Sequence, residues 1–298
     1  MILAEVVRSG YVEGTHSGHV LALRPDGSTA LALGDVERPI FPRSSNKPLQ
    51  AAAMLGLGWQ PEDDEQLALA TSSHNGEPGH LSVVQAMLGD LELQCPPMPP
   101  VSEQAWEDLL RAGGGATRLT MNCSGKHAAM LRTCVTNGWS TQTYLDRAHP
   151  LQVALERALG AMAGEQVAHV AVDGCGAPQH ALSLRGLARA YAGLDSRVSK
   201  AMSTHPWYVG GTGRDVTRLM EGVPGLVVKD GAEGVCAAVL ADGSTAVLKI
   251  EDGGGRARTP VLVAALRALG VEAPVLDEVA ETPVLGGGRP VGAVRVVF

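Results

Sequence analysis

Three short segments carry residues able to do chemistry on an amide. The first is Arg43-Ser44-Ser45-Asn46-Lys47-Pro48, which reads Ser-x-x-Lys and runs into the apolar stretch Ala51 to Leu55. A serine and a lysine three apart share one face of a helix. A helix starting here would put Ser44 at its positive end with Lys47 beside it, pairing a nucleophile with a base. Pro48 suits a first helical turn but disfavours the α conformation at Lys47. The second segment is Thr71-Ser72-Ser73-His74-Asn75-Gly76-Glu77, and the third is Lys229-Asp230-Gly231 at the end of a β-like run. Each has a plain structural alternative. Ser44 could simply cap a helix, Asn75-Gly76 could be a turn, and Asp230-Gly231 could end a strand.

A second constellation holds sulfur and nitrogen. Met121-Asn122-Cys123-Ser124-Gly125-Lys126-His127 leads into an apolar helix, and Val172-Asp173-Gly174-Cys175-Gly176 follows an apolar run. Cysteines without a function usually sit inside apolar elements, as Cys134 and Cys236 do. Cys123 and Cys175 instead lie at turn-like positions beside glycines and charged groups. Their surroundings allow a thiol nucleophile with a lowered pKa, a Zn²⁺ site with an open position, a redox disulfide, or plain structural cysteines. Neither C-x-x-C nor H-E-x-x-H is present.

The elements that must position these groups follow from patterning. A chain of 298 residues, 45% hydrophobic and 18% charged, can bury a large core in a single domain. The formal net charge of −7, with no basic block, argues against nucleic acid and acidic membrane surfaces as partners. The start of the chain lacks the pattern of a secretory signal, and no run reaches the ~18 apolar residues of a membrane span. Five scattered cysteines argue against a disulfide framework. Together these point to the cytoplasm. Residues 20–24 and 29–33 flank Pro25-Asp26-Gly27-Ser28, a hairpin signal, and residues 235–240 and 245–250 flank Ala241-Asp242-Gly243-Ser244, a second. Helical periodicity dominates from about residue 45 to 222, and one more helix is expected near Pro260 to Leu269. Strands at 1–40 and 223–298 around a helical region predict an α+β domain whose antiparallel sheet is fed from both termini. Gly210-Gly211-Thr212-Gly213 lacks the spacing and the lysine of a phosphate loop.

The order Ser-x-x-Lys, Ser-x-Asn, Lys-x-Gly is similar to that of the serine β-lactamases. Joined to Cys123-Ser124-Gly125-Lys126-His127, Asp173-Gly174-Cys175 and Ile250-Glu251-Asp252-Gly253, it resembles the rhizobial-type (class 3) L-asparaginases, the asparaginase II family, over most of the chain. The resemblance implies a serine β-lactamase/glutaminase-like fold and hydrolysis of the side-chain amide of L-asparagine. It implies two Ser–Lys pairs, Ser44–Lys47 and Ser73–Lys229, in one pocket. It further implies zinc held by Cys123, Lys126 and Cys175, with Arg43, His127 and Asp173 around substrate or metal, and a homodimer. A glutaminase or other amidase on the same scaffold and a non-catalytic zinc-binding homologue are the alternatives. Ser45-Asn46 is bulkier and more polar than the small apolar pair associated with the family, and the connections around Gly193 and after Glu251 are compact.

Overall fold

A computed structural model describes all of residues 1–298. The chain opens with β1 (Ile2–Arg8), β2 (Tyr11–Leu23), β3 (Thr29–Leu33) and the short β4 (Pro39–Ile40). A 3₁₀ turn at Arg43–Asn46 leads into α1 (Lys47–Gly56), α2 (Asp64–Ala70), α3 (Pro78–Leu88), α4 (Glu103–Arg111), α5 (Ser124–Thr136) and α6 (Pro150–Ala163). Three small strands follow, β5 (Val170–Val172), β6 (Pro178–His180) and β7 (Leu182–Ser183). Helices α7 (Leu184–Ala192), α8 (Ser196–Thr204), α9 (Pro206–Val209) and α10 (Asp215–Gly222) complete the helical region. The chain returns to strands with β8 (Val227–Gly231), β9 (Val235–Val239) and β10 (Thr245–Ile250), then α11 (Arg258–Ala268), α12 (Pro274–Ala280), β11 (Pro283–Gly286) and β12 (Arg289–Val296).

The sheet runs β11-β12-β1-β2-β10-β9-β8, with β3 also paired to β2, and every pairing is antiparallel. Strands from both ends of the chain therefore interleave: β1 lies between β12 and β2, and β2 lies against β10. This is the α+β architecture that the terminal strands predict. The long β2 makes it possible, since its 13 residues pair with β1 over the first half and with β10 over the second. Strands β8 and β9 are buried along their whole length. A strand loses its period-two exposure when both faces are covered, and here α7 and α11 pack on β9 while α8 and α10 pack on β8.

Two features of the helical region differ from the sequence expectation. Beyond β5, the strand and tight turn that the apolar run before Asp173 suggests, β6 and β7 interrupt it, and β4 pairs with β7 to tie it to the first strands. These strands are two or three residues long, too short to show a period. The first helix also begins later than Ser44. Ser44 belongs to the 3₁₀ turn, and Lys47 opens α1 in a regular right-handed conformation (φ −59°, ψ −39°) despite the proline after it. Tertiary contacts of the buried Lys47 side chain override the local preference of a pre-proline residue. The sequence-predicted helix near Pro260 is α11, whereas α12 had no clear signal.

Two glycines set how closely the site-bearing elements approach. A Cβ at Gly231 would lie 2.5 Å from Pro42 O and 3.1 Å from Ser45 Oγ, so β8 meets the 3₁₀ turn backbone to backbone. A Cβ at Gly125 would lie 2.4 Å from Leu69 O, so the start of α5 is pressed onto the end of α2. Helix α5 is buried on nearly every face, packed among α1, α2, α3 and α6, as expected of a helix at the centre of a helical layer.

Candidate active site

The 3₁₀ turn, the segment after α2, the start of α5 and the end of β8 converge on one buried polar cluster. Lys47, at the first position of α1, is 1% exposed. Its Nζ donates to Ser72 O at 2.5 Å, to Ser73 Oγ at 3.1 Å and to Cys123 Sγ at 3.1 Å. Lys47 and Ser73, which the resemblance assigns to different pairs, thus meet directly, and Lys47 also reaches the first cysteine. Neither Ser44–Lys47 nor Ser73–Lys229 forms a hydrogen bond. The half-buried Ser44 hydroxyl makes none at all, and no backbone acceptor takes its amide N–H. Ser73 is 6% exposed.

Lys229 is fully buried. It donates to the main-chain oxygen of Asp230 at 2.8 Å and to the Asp230 carboxylate. Burial pushes its amine down to about 8; Asp230 resists that fall, while Lys47 and Arg214 deepen it. Asp230 is itself buried, which on its own would raise its pKa. Lys229, Arg214 and Arg258 hold it well below the usual carboxylate range instead. Two buried lysines are costly to desolvate, and a structure that places both in one cluster concentrates positive charge there.

Arg214 was not singled out by sequence. Its guanidinium donates to Ser73 O at 3.3 Å, to Asn75 Oδ1 at 3.2 Å and to Asp230 Oδ2 at 2.8 Å, so it ties the Ser73 segment to the Lys229 strand. The glycine-rich loop before it serves the same end. Ser73 N donates to Val209 O at 3.1 Å, Asn75 N donates to Gly210 O at 2.9 Å, and a Cβ at Gly211 would strike Asn75. Glu77 closes the clasp by accepting from Thr212 N at 2.8 Å and Thr212 Oγ1 at 2.7 Å. His74 accepts from Gly76 N through Nδ1 at 3.1 Å, which leaves Nε2–H to donate to Ser124 Oγ at 2.8 Å. Burial, with His80, Lys47 and Arg214 nearby, keeps that ring neutral. The only sequence signals for Arg214 and Ser124 were their places in segments already noted for other reasons.

The sulfur cluster adjoins the lysines. Cys123 caps the N-terminus of α5, and Cys175 sits in the turn between β5 and β6, where Gly176 N donates to Asp173 O at 2.9 Å. Lys126 Nζ donates to Cys175 Sγ at 3.1 Å. The Cys123 thiol beside it lowers the Cys175 thiol strongly; burial opposes this and the Lys126 ammonium adds to it. The same contact, together with burial, pushes Cys123 up. Burial works against the Lys126 ammonium, but Cys175, Cys123 and Asp173 more than reverse this, so its proton is held tightly. His127 donates to or accepts from Tyr144 Oη through Nδ1 at 2.8 Å, while its buried Nε2 has no partner. No three His, Cys, Asp or Glu side chains converge as a metal-binding group. The Cys175 thiol does meet both the Lys126 amine and the Cys123 thiol, a sulfur and nitrogen donor set suited to zinc once deprotonated. All five cysteines are free.

Arg43 completes the cluster. It adopts a left-handed φ of +53°, unusual for a residue with a Cβ. Its Nε donates to Asp173 Oδ1 at 2.8 Å, linking the 3₁₀ turn to the Cys175 loop.

The model of the family described as L-asparaginase II matches residues 4–296. The chain belongs to the L-asparaginase II family. Membership carries hydrolysis of the asparagine side-chain amide, and with it the assignment as a hydrolase. Among solved structures, the chain is similar to a β-lactamase from Mycobacterium bovis at 14% identity, with 85% of this chain and 93% of that chain covered and a TM-score of 0.40. A comparison with curated proteins finds no match. No helix of this asparaginase-family chain is long and apolar enough to cross a membrane.

Proposed function

We propose that this family member hydrolyses L-asparagine through an acyl-enzyme on Ser44, with Ser73, Lys47 and Lys229 managing the proton. The observation that carries this reading is the Lys47–Ser73 contact, with the Ser44 hydroxyl uncommitted three residues before Lys47 in the chain. A nucleophile must reach the amide carbon. Ser44 is the more open of the two serines, and its own unpaired N–H is available to the oxyanion that forms when it attacks. Ser73 is nearly enclosed and already bonded to an amine, which suits a relay between Ser44 and Lys47.

An amine accepts a proton only when it has a free lone pair. If Lys47 is neutral, its two N–H groups can point to Ser72 O and Cys123 Sγ, leaving the lone pair toward the Ser73 hydroxyl. With its amine brought down to about 8, Lys229 gives up its proton not far above neutral pH, which removes a positive charge near Lys47. The proton taken from Ser44 then passes to the departing nitrogen, ammonia leaves, and water clears the ester by the same relay. Arg43 suits the substrate α-carboxylate, with Asp173 orienting it.

Cys123, Lys126 and Cys175 would hold zinc, with the unpartnered His127 Nε2 nearby as a buried acceptor for a group bound there. A bound zinc ion would supply a fixed positive charge beside the substrate. Family resemblance and the sulfur and nitrogen donor set support this. A cytoplasmic homodimer is part of the same proposal. Ammonia release from L-asparagine, measured against L-glutamine and with the Ser44→Ala variant, tests the reading. It fails if asparagine yields no ammonia or if Ser44→Ala keeps near-normal turnover.

A further inference from the structure

Two of the three non-glycine residues with left-handed backbone face each other at the edge of the site. They are Arg43 (φ +53°) and Glu233 (φ +59°), the third being Ser9 in the turn between β1 and β2. Glu233 lies in the turn joining β8 to β9, two residues beyond Gly231. Left-handed positions in such turns favour Gly, Asn or Asp, and a glutamate there is strained. Strain of this kind clusters at functional sites because the surrounding structure must hold it in place.

Here the holding groups are visible. Lys249 Nζ donates to Glu233 O at 2.8 Å, fixing the main chain. The carboxylate lies over Gly253, where a Cβ would fall 2.4 Å from Glu233 Oε2. Next to Gly253, Glu251 and Asp252 are clamped by two buried histidines of β2: His16 Nδ1 lies 2.6 Å from Asp252 and His19 Nε2 lies 2.5 Å from Glu251. The Ile250-Glu251-Asp252-Gly253 segment thus serves as the rest on which Glu233 sits.

The other carboxylates nearby are committed. Asp173 binds Arg43 and Gly174 N, Asp230 binds Lys229 and Arg214, and Glu77 binds Asn75 and Thr212. Glu233 makes no hydrogen bond through its carboxylate. Its Oε1 stands 3.7 Å from Arg43 Nη1, and its side chain is 64% exposed. Asparagine carries one negative and one positive group on its α-carbon. A site rich in lysine and arginine answers the first but needs a free acid for the second.

We infer that Glu233 binds the α-ammonium of the substrate while Arg43 binds the α-carboxylate, so that this pair admits free amino acids and excludes amides lacking the ammonium. This inference rests on the asparagine reading above. The test compares asparagine with succinamate, which lacks only the α-ammonium, and with asparaginamide, which lacks the α-carboxylate. Wild-type protein should favour asparagine over succinamate in kcat/KM by about 10- to 100-fold, the scale of one charge-assisted contact. Glu233→Gln should raise KM for asparagine and collapse that ratio to within about threefold, while its preference for asparagine over asparaginamide persists. Glu233→Gly, which relieves the left-handed strain and so should fold at least as well, should show the same collapse. An unchanged asparagine-to-succinamate ratio in both variants, with asparagine still hydrolysed, overturns this inference alone. If wild-type protein releases no ammonia from asparagine, the underlying reading falls and takes this one with it.

Discussion

The Lys229–Asp230 pair offers the sharpest test of the proton relay, because the perturbation should improve one measurable property instead of only abolishing activity. With the Lys229 amine at about 8, the fraction unprotonated is about 3% at pH 6.5 and about 90% at pH 9. Asparagine kcat/KM should therefore climb through this range with an apparent pKa near 8, on the view that loss of the Lys229 proton switches the relay on. Asp230→Asn removes the carboxylate that holds the Lys229 proton in place. An opposite charge in direct contact is worth about one to three pKa units. Its removal also leaves Arg214 and Arg258 unneutralised beside the amine, which acts in the same direction. The limb should move to about pH 5–7, and the rate at pH 6.5, relative to the variant's own plateau, should rise from about 3% to between roughly a quarter and nearly all. Breaking a buried ion pair costs about 3–5 kcal/mol of stability, so the measurement is the shape of the pH–rate curve on protein shown to be folded by circular dichroism. A limb that stays near 8, or moves to higher pH, refutes the assignment of the limb to Lys229. The same displacement has a consequence for folding. A lysine whose folded-state pKa lies below its unfolded value of 10.5 opposes folding wherever it is protonated in both states, below about pH 8. That penalty, about 3 kcal/mol for a drop from 10.5 to about 8, fades as pH rises from 8 toward 10.5.

Further outcomes follow from the same geometry. Ser44→Ala and Ser73→Ala should each lower kcat by about 10³-fold or more, but only Ser73→Ala should still accumulate an ester intermediate detectable by mass spectrometry after acid quench. Gly231→Ala forces a Cβ to 2.5 Å from Pro42 O; denaturant unfolding should show a loss of about 1–3 kcal/mol, with kcat falling as β8 and the 3₁₀ turn part. Purified protein should take up one equivalent of zinc by elemental analysis, and Cys175→Ala should not. Because the tightly held proton of Lys126 must leave for the metal to bind, zinc affinity measured by competition with a chelator should increase with pH.

The strands at both termini and the two hairpins were legible because their signals are local: short apolar runs in residues 20–33 and 245–250, and Asp-Gly turns between partners. The packing of β1 between β12 and β2 could be expected only as a class, since strand order depends on contacts nearly 300 residues apart in sequence. At the site, residue types were readable and their pairing was not. Ser44 and Lys47 stand three apart, a spacing at which side chains eclipse in a 3₁₀ turn, yet no hydrogen bond joins them. Lys47 finds Ser73 instead, across a fold contact that no spacing encodes. Arg214 and Glu233 were invisible for the same reason: each works through partners brought together by the sheet and the 209–214 loop.

Lys47 is the point where the two halves of the cluster meet. Its Nζ touches both the Ser73 hydroxyl and the Cys123 thiol. An amine with two N–H groups and one lone pair cannot answer both neighbours independently, because what it donates to the sulfur determines where its lone pair points. While Cys123 keeps its proton, as its raised pKa requires in the metal-free cluster, the sulfur is a weak acceptor and competes little for a lysine N–H. A Cys123 thiolate is a far stronger acceptor and would fix one N–H of Lys47 toward sulfur, leaving the lone pair committed to Ser73. The protonation state of the thiol cluster therefore reaches the relay through a single side chain. That gives a physical reason for the Cys-Ser-Gly-Lys-His segment to lie against the Ser-x-x-Lys segment, and Gly125, by letting α5 close onto α2, is what makes the approach possible.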